Sequence, residues 1–222
     1  MNLLKSIATA TLAAACAVSA SAQVRITEVA PWGSGNSTLA ADWFEVTNFG
    51  SGTVNISGWK MDDNSNAFAN SVALVGVTAI APGESVIFVE SATDKSAQFK
   101  TLWFGAAAPA GLQIGRYSGT GVGLGTGGDA VNLFNASGVL QASVSFGASP
   151  SGPSFPTFDN AVGANNLTLS ALSIIGTNGA FVAANGVNEI GSPAAVPEPE
   201  TYAMLLAGLA LIGGIARRRK AA

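Results

Sequence analysis

Trp43-Phe44-Glu45-Val46-Thr47, closed by Asn48-Phe49-Gly50-Ser51-Gly52 and followed by Val54-Asn55-Ile56-Ser57-Gly58-Trp59, is the stretch whose reading decides the fold. β-Branched and aromatic residues suit a pleated, half-buried surface, whereas Asn, Gly and Ser supply turns. The same alternation of short apolar runs and turn formers continues in both directions. Upstream, Val24-Arg25-Ile26-Thr27-Glu28-Val29 alternates with period two, which predicts a half-buried strand. Downstream, further strands are predicted over Val72 to Val77, Ser85 to Val89, Leu112 to Ile114, Ala130 to Phe134, Val139 to Phe146 and Leu167 to Ile175. Ala81-Pro82-Gly83-Glu84 reads as a turn, and Ala136-Ser137-Gly138 as the turn of a hairpin. Only Thr93 to Leu102 has a weak helical pattern. Eight or nine strands without intervening helices indicate an all-β chain folded as an antiparallel β-sandwich.

The order of the signatures resembles the lamin-tail domain, an immunoglobulin-like sandwich. The matching pieces are Ile26 to Val29, Asp42 to Gly50, Val54 to Asp62, Ile80 to Glu84 and Gly128 to Gly138. They cover residues 23–150, with Leu102 to Gly127 as an insertion. Physically, Phe44 and Trp59 would plug the core, while Gly58 and Gly83 permit turns. The resemblance implies a binding or scaffold module on exported proteins and brings no catalytic motif. Residues 151–195 would add an edge strand and, beyond Asn185, a linker.

The two ends concern address. Lys5, the apolar run Ile7 to Val18 and the small residues Ala20-Ser21-Ala22 follow the pattern of a secretory signal over residues 1–22, cleaved by signal peptidase before Gln23. Ala13-Ala14-Ala15-Cys16 is the rival, lipoprotein-type site, but it lacks a good branched residue three before the cysteine. At the other end, residues 202–216 are apolar or small and run into Arg217-Arg218-Arg219-Lys220. A helix of that length spans about 22 Å, short for a hydrocarbon core unless arginines snorkel and the bilayer thins. The basic cluster should stay cytoplasmic; the alternative is a buried C-terminal core helix. Preceded by Pro197-Glu198-Pro199, residues 196–222 resemble the PEP-CTERM sorting signal of bacterial exosortase substrates. That resemblance implies export, transient anchorage in the inner membrane, recognition of Pro197-Glu198-Pro199 by an exosortase, and a final place at the cell surface or outside the cell.

Between the ends the chain is acidic. Residues 23–200 hold all 13 acids and five bases (Arg25, Lys60, Lys95, Lys100, Arg116), a net charge of about −8. This argues against nucleic acid as a partner. With no histidine, and the single cysteine in the signal segment, Ser-His-Asp triads, imidazole acid–base chemistry, thiol nucleophiles and disulfides are excluded from the mature chain.

Four candidate sites remain. Asp62-Asp63-Asn64-Ser65-Asn66 packs oxygen ligands as calcium loops do, but an Asx-rich turn needs the same residues, and the EF-hand glycine and glutamate are missing. Gly123-Leu124-Gly125-Thr126-Gly127-Gly128 satisfies G-x-G-x-x-G, yet leads into a strand where a dinucleotide loop opens a helix. Glu28 and Glu45 would be the carboxylate pair of a hydrolase, although surface or edge placement in strands is the ordinary explanation. Trp32, Trp43 and Trp103 could be a sugar platform or core packing. Sequons begin at Asn36, Asn55, Asn135 and Asn166, as expected by chance in a chain of this composition. The expected function is a non-enzymatic surface or matrix protein that binds extracellular polysaccharide or envelope proteins. The alternative is a calcium- or carbohydrate-binding lectin-like module.

Overall fold

The computed structural model describes residues 24–195. In chain order the strands are β1 (Val24–Ala30), β2 (Trp43–Asn48), β3 (Val54–Asn55), β4 (Lys60–Asp62), β5 (Val72–Ala73), β6 (Ala79–Ile80), β7 (Ser85–Glu90) and β8 (Ile114–Tyr117). They continue with β9 (Asp129–Phe134), β10 (Leu140–Phe146), β11 (Phe155–Pro156), β12 (Phe158–Asp159), β13 (Leu167–Leu169), β14 (Phe181–Val182) and β15 (Glu189–Gly191). Two short helices interrupt them, α1 (Gly33–Asn36) and α2 (Ser96–Phe104).

Two five-stranded sheets, ordered β12-β1-β2-β7-β8 and β13-β10-β9-β4-β5, form the sandwich. Most neighbours are antiparallel, but β7–β8 and β10–β13 are parallel. A parallel pair needs a crossover, and α2 lies on the one that joins β7 to β8. The hairpin between β9 and β10 turns where Ala136-Ser137-Gly138 predicts it. Asn135 Oδ1 accepts the Ser137 and Val139 amides, and Gly138 takes a positive φ of 80° that favours glycine.

Between the sheets lies the first core, with Ile26, Phe44, Val46, Phe88, Val131, Leu133, Val144 and Phe146 packed around Trp59 and Met61. β10 shows the expected alternation: Ala142, Val144 and Phe146 point inward and are buried, while Gln141, Ser143 and Ser145 are not. β1, β2 and β7 do not alternate. All but one residue of each is buried or the whole strand is, because a second core covers the other face of their sheet. Ala30, Trp32, Trp43, Ile87 and Val89 meet Phe99, Leu102 and Trp103 from α2, together with Ala183. Trp43 stands edge-on to Phe99 at 5.3 Å and to Trp103 at 5.4 Å between ring centroids. The sheet containing β1 is therefore a middle layer, and the half-buried strand expected from Val24 to Val29 is buried on both faces.

The second layer is completed by the segment read as an edge strand and linker. β13 does join the second sheet, although only Leu167–Leu169 of the longer predicted run is strand. β12 joins the first sheet, and β11-β15-β14 form a small third one. Glu189, Gly191 and Ser192 are buried, so residues 186–195 are not a linker clear of the domain. Their partners are Phe155–Pro156 and Phe181–Val182, pairs too short to give a periodic signal. Among the described residues no helix is long and apolar enough to cross a membrane; residues 202–216 lie outside them.

Candidate functional site

On the middle sheet's outer face a polar seam runs through the apolar second layer. A bulge between Ile26 and Glu28 shifts the pairing of β1 with β2. The extra residue puts Thr27 and Glu28 on one face, where alternation alone would send them to opposite faces. Glu28 then stands opposite Glu45 on β2 and opposite Asp159 on β12. The pair is sealed from solvent, with 1% of Glu28 and 2% of Glu45 exposed.

Three of their four oxygens are committed to the chain itself. Glu28 Oε1 accepts the Thr157 hydroxyl at 2.5 Å and the Ser192 amide at 2.7 Å. Glu45 Oε1 accepts the Thr27 hydroxyl at 2.7 Å, and its Oε2 accepts the Ala194 amide at 2.5 Å. The row continues from Thr27 to Thr47 to the Ser85 hydroxyl, which donates to the Ala195 carbonyl at 3.2 Å. Glu28 Oε2 is buried without a partner. Burial drives the Glu28 carboxyl well above the usual carboxylate range, with the Glu45 charge adding to it. Burial also pushes Glu45 up to about 7, against the lowering effect of the Thr27 and Ala194 hydrogen bonds. A protonated carboxyl in a dry seam is the expected state, since a buried unpaired charge is costly. Such an arrangement can fasten backbone amides. It leaves no room beside the carboxyls for a substrate.

The surface or edge placement expected for Glu28 and Glu45 is thus replaced by convergence inside the protein. Asp159, Thr157 and Ser192 were not legible as their partners, lying 129 residues from Glu28 for Thr157 and 164 for Ser192. Trp32, Trp43 and Trp103 are each 1% exposed, so they are core and offer no aromatic platform.

Asp62 ends β4, and Asp63 and Asn64 lead into the tight turn that follows it. Asp62 is fully buried; its Oδ2 accepts the Ser65 hydroxyl and the Ala67 amide, each at 2.7 Å. Asp63 Oδ1 accepts the Ser65 amide, and the Asn64 amide reaches Asp129 Oδ1 at 3.1 Å. Asp129 Oδ2 in turn accepts the Gly125 amide at 2.7 Å. The acidic turn and the glycine-rich loop, separate in sequence, are therefore both tied to Asp129. The loop leads into β9, as expected, and opens no helix. Among the described residues no three acidic side chains gather closely enough to hold a metal ion.

A further acidic residue, Asp42, carries no site signal in the sequence. It is buried at the start of β2, where its Oδ1 accepts the Ser34 amide at 2.7 Å. Burial, with the Glu90 carboxylate nearby, pushes it up to about 7. A surface cavity of about 380 Å³ lies over α2, lined by Thr38, Leu39, Gln98, Thr101, Leu102 and Asn185, with no charged side chain. The signal-cleavage residues Ala20 and Ala22 and the sorting residues Pro197, Glu198, Pro199, Arg217, Arg218 and Arg219 lie outside the described residues.

A family model described as the PEP-CTERM protein-sorting motif matches residues 195–220, which include Pro197 to Pro199 and the arginine cluster. The motif marks an exported protein sorted by an exosortase and transiently anchored in the membrane. No curated protein and no solved structure matches the chain. The family model described as Lamin Tail Domain matches residues 17–148, more than half of the 222 residues, on the all-β sandwich described above. The chain belongs to the lamin tail domain family.

Proposed function

We propose that the exported chain is a non-enzymatic surface or matrix protein whose sandwich serves as a binding or scaffold module for extracellular polysaccharide or envelope proteins. The observation that supports this most is the fate of the converging pair Glu28 and Glu45. Glu28 and Glu45 are closed off from solvent and spend their oxygens on Thr157, Ser192, Thr27 and Ala194. A glycosidase needs such a pair in an open cleft, with room for a sugar ring and a water between the carboxyls. The uncharged cavity over α2 offers hydroxyl and amide groups from Thr38, Gln98, Thr101 and Asn185, chemistry that suits a neutral glycan.

The test is co-sedimentation of the purified protein with polysaccharide from its host, for the wild type and for Gln98→Trp, which fills the cavity. Retention that the variant loses supports the glycan reading. Hydrolysis of the same polysaccharide would end the non-enzymatic one. Calcium is a second ligand class, favoured by one observation: Asp62 Oδ1 is buried without a partner in a turn tied to Asp129. Melting with calcium and with chelator separates the two, since only a calcium module gains stability from the ion.

A further inference from the structure

Residues 189–195 end where the sorting motif begins, since the motif match starts at residue 195. They do not hang free. β15 pairs with β11 and β14, and the next residues cross the polar seam of the middle sheet. Three hydrogen bonds fasten them there: Ser192 N–H to Glu28, Ala194 N–H to Glu45, and the Ser85 hydroxyl to the Ala195 carbonyl. From Ala195 to the start of the apolar run at Tyr202 there are six intervening residues, which reach about 20 Å when extended. A folded body fastened at residue 195 therefore sits within that distance of the membrane, on the very segment the processing enzyme must enter.

We propose that residues 189–195 are a strap that latches the sorting motif to the folded body, and that its release, governed by the charge on Glu28 and Glu45, hands the motif to the processing enzyme. The proposal rests on the exosortase reading of the motif and deepens it. Its geometry is that of a switch. The two carboxyls are the acceptors for strap amides, are neighbours in register, and face no base. The charges acting on Glu28 come from Glu45 on β2 and Asp159 on β12; Asp159 acts on Glu45 as well. The strap brings amides and one carboxyl of its own, Glu189, which burial raises above its ordinary range, while Thr157, Thr27 and Ser85 bring hydroxyls. With both carboxyls protonated and the strap amides donating to them, the seam is dry and neutral. Ionising both places like charges side by side under the strap, and lifting the strap admits water to them.

The direction follows from burial. Glu45, held at about 7, takes up a proton more readily with the strap closed than in water, so rising pH favours the open form. Between pH 6 and pH 8 Glu45 by itself raises the open population by about tenfold. The experiment is hydrogen exchange with mass spectrometry on the full chain in detergent micelles, with rates corrected for intrinsic pH dependence. The strap peptide is expected to lose about tenfold or more of its protection from pH 6 to pH 8 while peptides from β2 and β9 keep theirs. In a Glu189→Gln background, which removes the strap's own titrating carboxyl, Glu28→Gln with Glu45→Gln, which keeps an acceptor oxygen at each place and cannot ionise, should abolish that loss. Strap protection that is independent of pH, or that falls only together with β2 and β9, overturns the latch.

A second arm follows processing in host cells that carry the exosortase. The Gln pair, which ionisation at Glu28 and Glu45 can no longer open, should be processed several-fold more slowly than wild type, and Glu45→Ala several-fold faster, provided its β2 and β9 peptides stay protected. Equal rates for the three chains overturn the hand-over. A wild-type chain that is never processed overturns the sorting reading instead, and the exchange result then stands apart from it.

Discussion

Ending the chain at residue 150, just past the family match, should destroy the fold that the match identifies. The match stops at residue 148, yet β11 to β15 follow it and close both cores. Truncation removes Phe158 and Leu169, both 3% exposed, from the first core. It also removes Phe155, 5.7 Å from Trp32 between ring centroids, and Phe181, 5.9 Å from Trp103. At about 1.5–3 kcal/mol for a fully buried large side chain, and about half that for the partly buried Phe155 and Phe181, the loss is roughly 5–9 kcal/mol. That rivals the whole stability of a typical domain, about 5–15 kcal/mol. Residues 23–150 and 23–195 should be purified and compared by near-ultraviolet circular dichroism and urea unfolding. The longer chain is expected to show fixed tryptophan signals and one cooperative transition, and the shorter neither. A shorter chain that unfolds cooperatively at the same urea midpoint would refute the reasoning, because the second layer would then be an accessory.

The pH dependence of stability has a definite sign. Burial raises Glu28, Glu45 and Asp42, the last two to about 7, so the folded chain holds protons that the unfolded chain releases. Stability is therefore full below the ordinary carboxylate range and declines as pH rises through 7; Glu45 alone contributes about 2–3 kcal/mol between pH 5 and pH 8. Calorimetry should find the melting temperature falling by about 5–10 °C over that range, and less in Glu45→Gln. Gly115→Ala should cost about 1–3 kcal/mol by overpacking, because the new Cβ would lie 2.6 Å from the Phe88 ring and 2.7 Å from the Val75 carbonyl oxygen. Gly127→Ala, with nothing within 4 Å, should be near neutral in the same denaturation series. Calcium and chelator should leave the melting temperature unchanged, because Asp62 Oδ2, Asp63 Oδ1 and both Asp129 oxygens already accept hydrogen bonds. Asp62→Ala should cost about 1–3 kcal/mol by orphaning the Ser65 hydroxyl and the Ala67 amide.

Much of the first core was legible because period-two patterning and turn chemistry are local. The β9–β10 hairpin sits where Ala136-Ser137-Gly138 predicts it, and Phe44 and Trp59 are the core plugs their neighbours suggest. β8 was predicted two residues early: Leu112 belongs to the second core, and the strand opens at Ile114. The double burial of β1 was not legible, because Thr27 and Glu28 look like a solvent face until the distant chain covers them. Even polar residues can be buried when hydrogen bonds satisfy them, and the partners of Glu28 here are Thr157, between β11 and β12, and the strap.

By itself, the sequence determined the address and the class of this protein. The sorting motif is a linear signal, and the absence of histidine, and of any cysteine after Cys16, limits chemistry whatever the fold. Tertiary structure alone decided that Glu28 and Glu45 meet, that three tryptophans are core, and that the chain up to Ala195 is part of the body. The physical reason is that burial depends on what another segment covers. A strand's own pattern records one face well, but it cannot announce a second layer that arrives more than a hundred residues later.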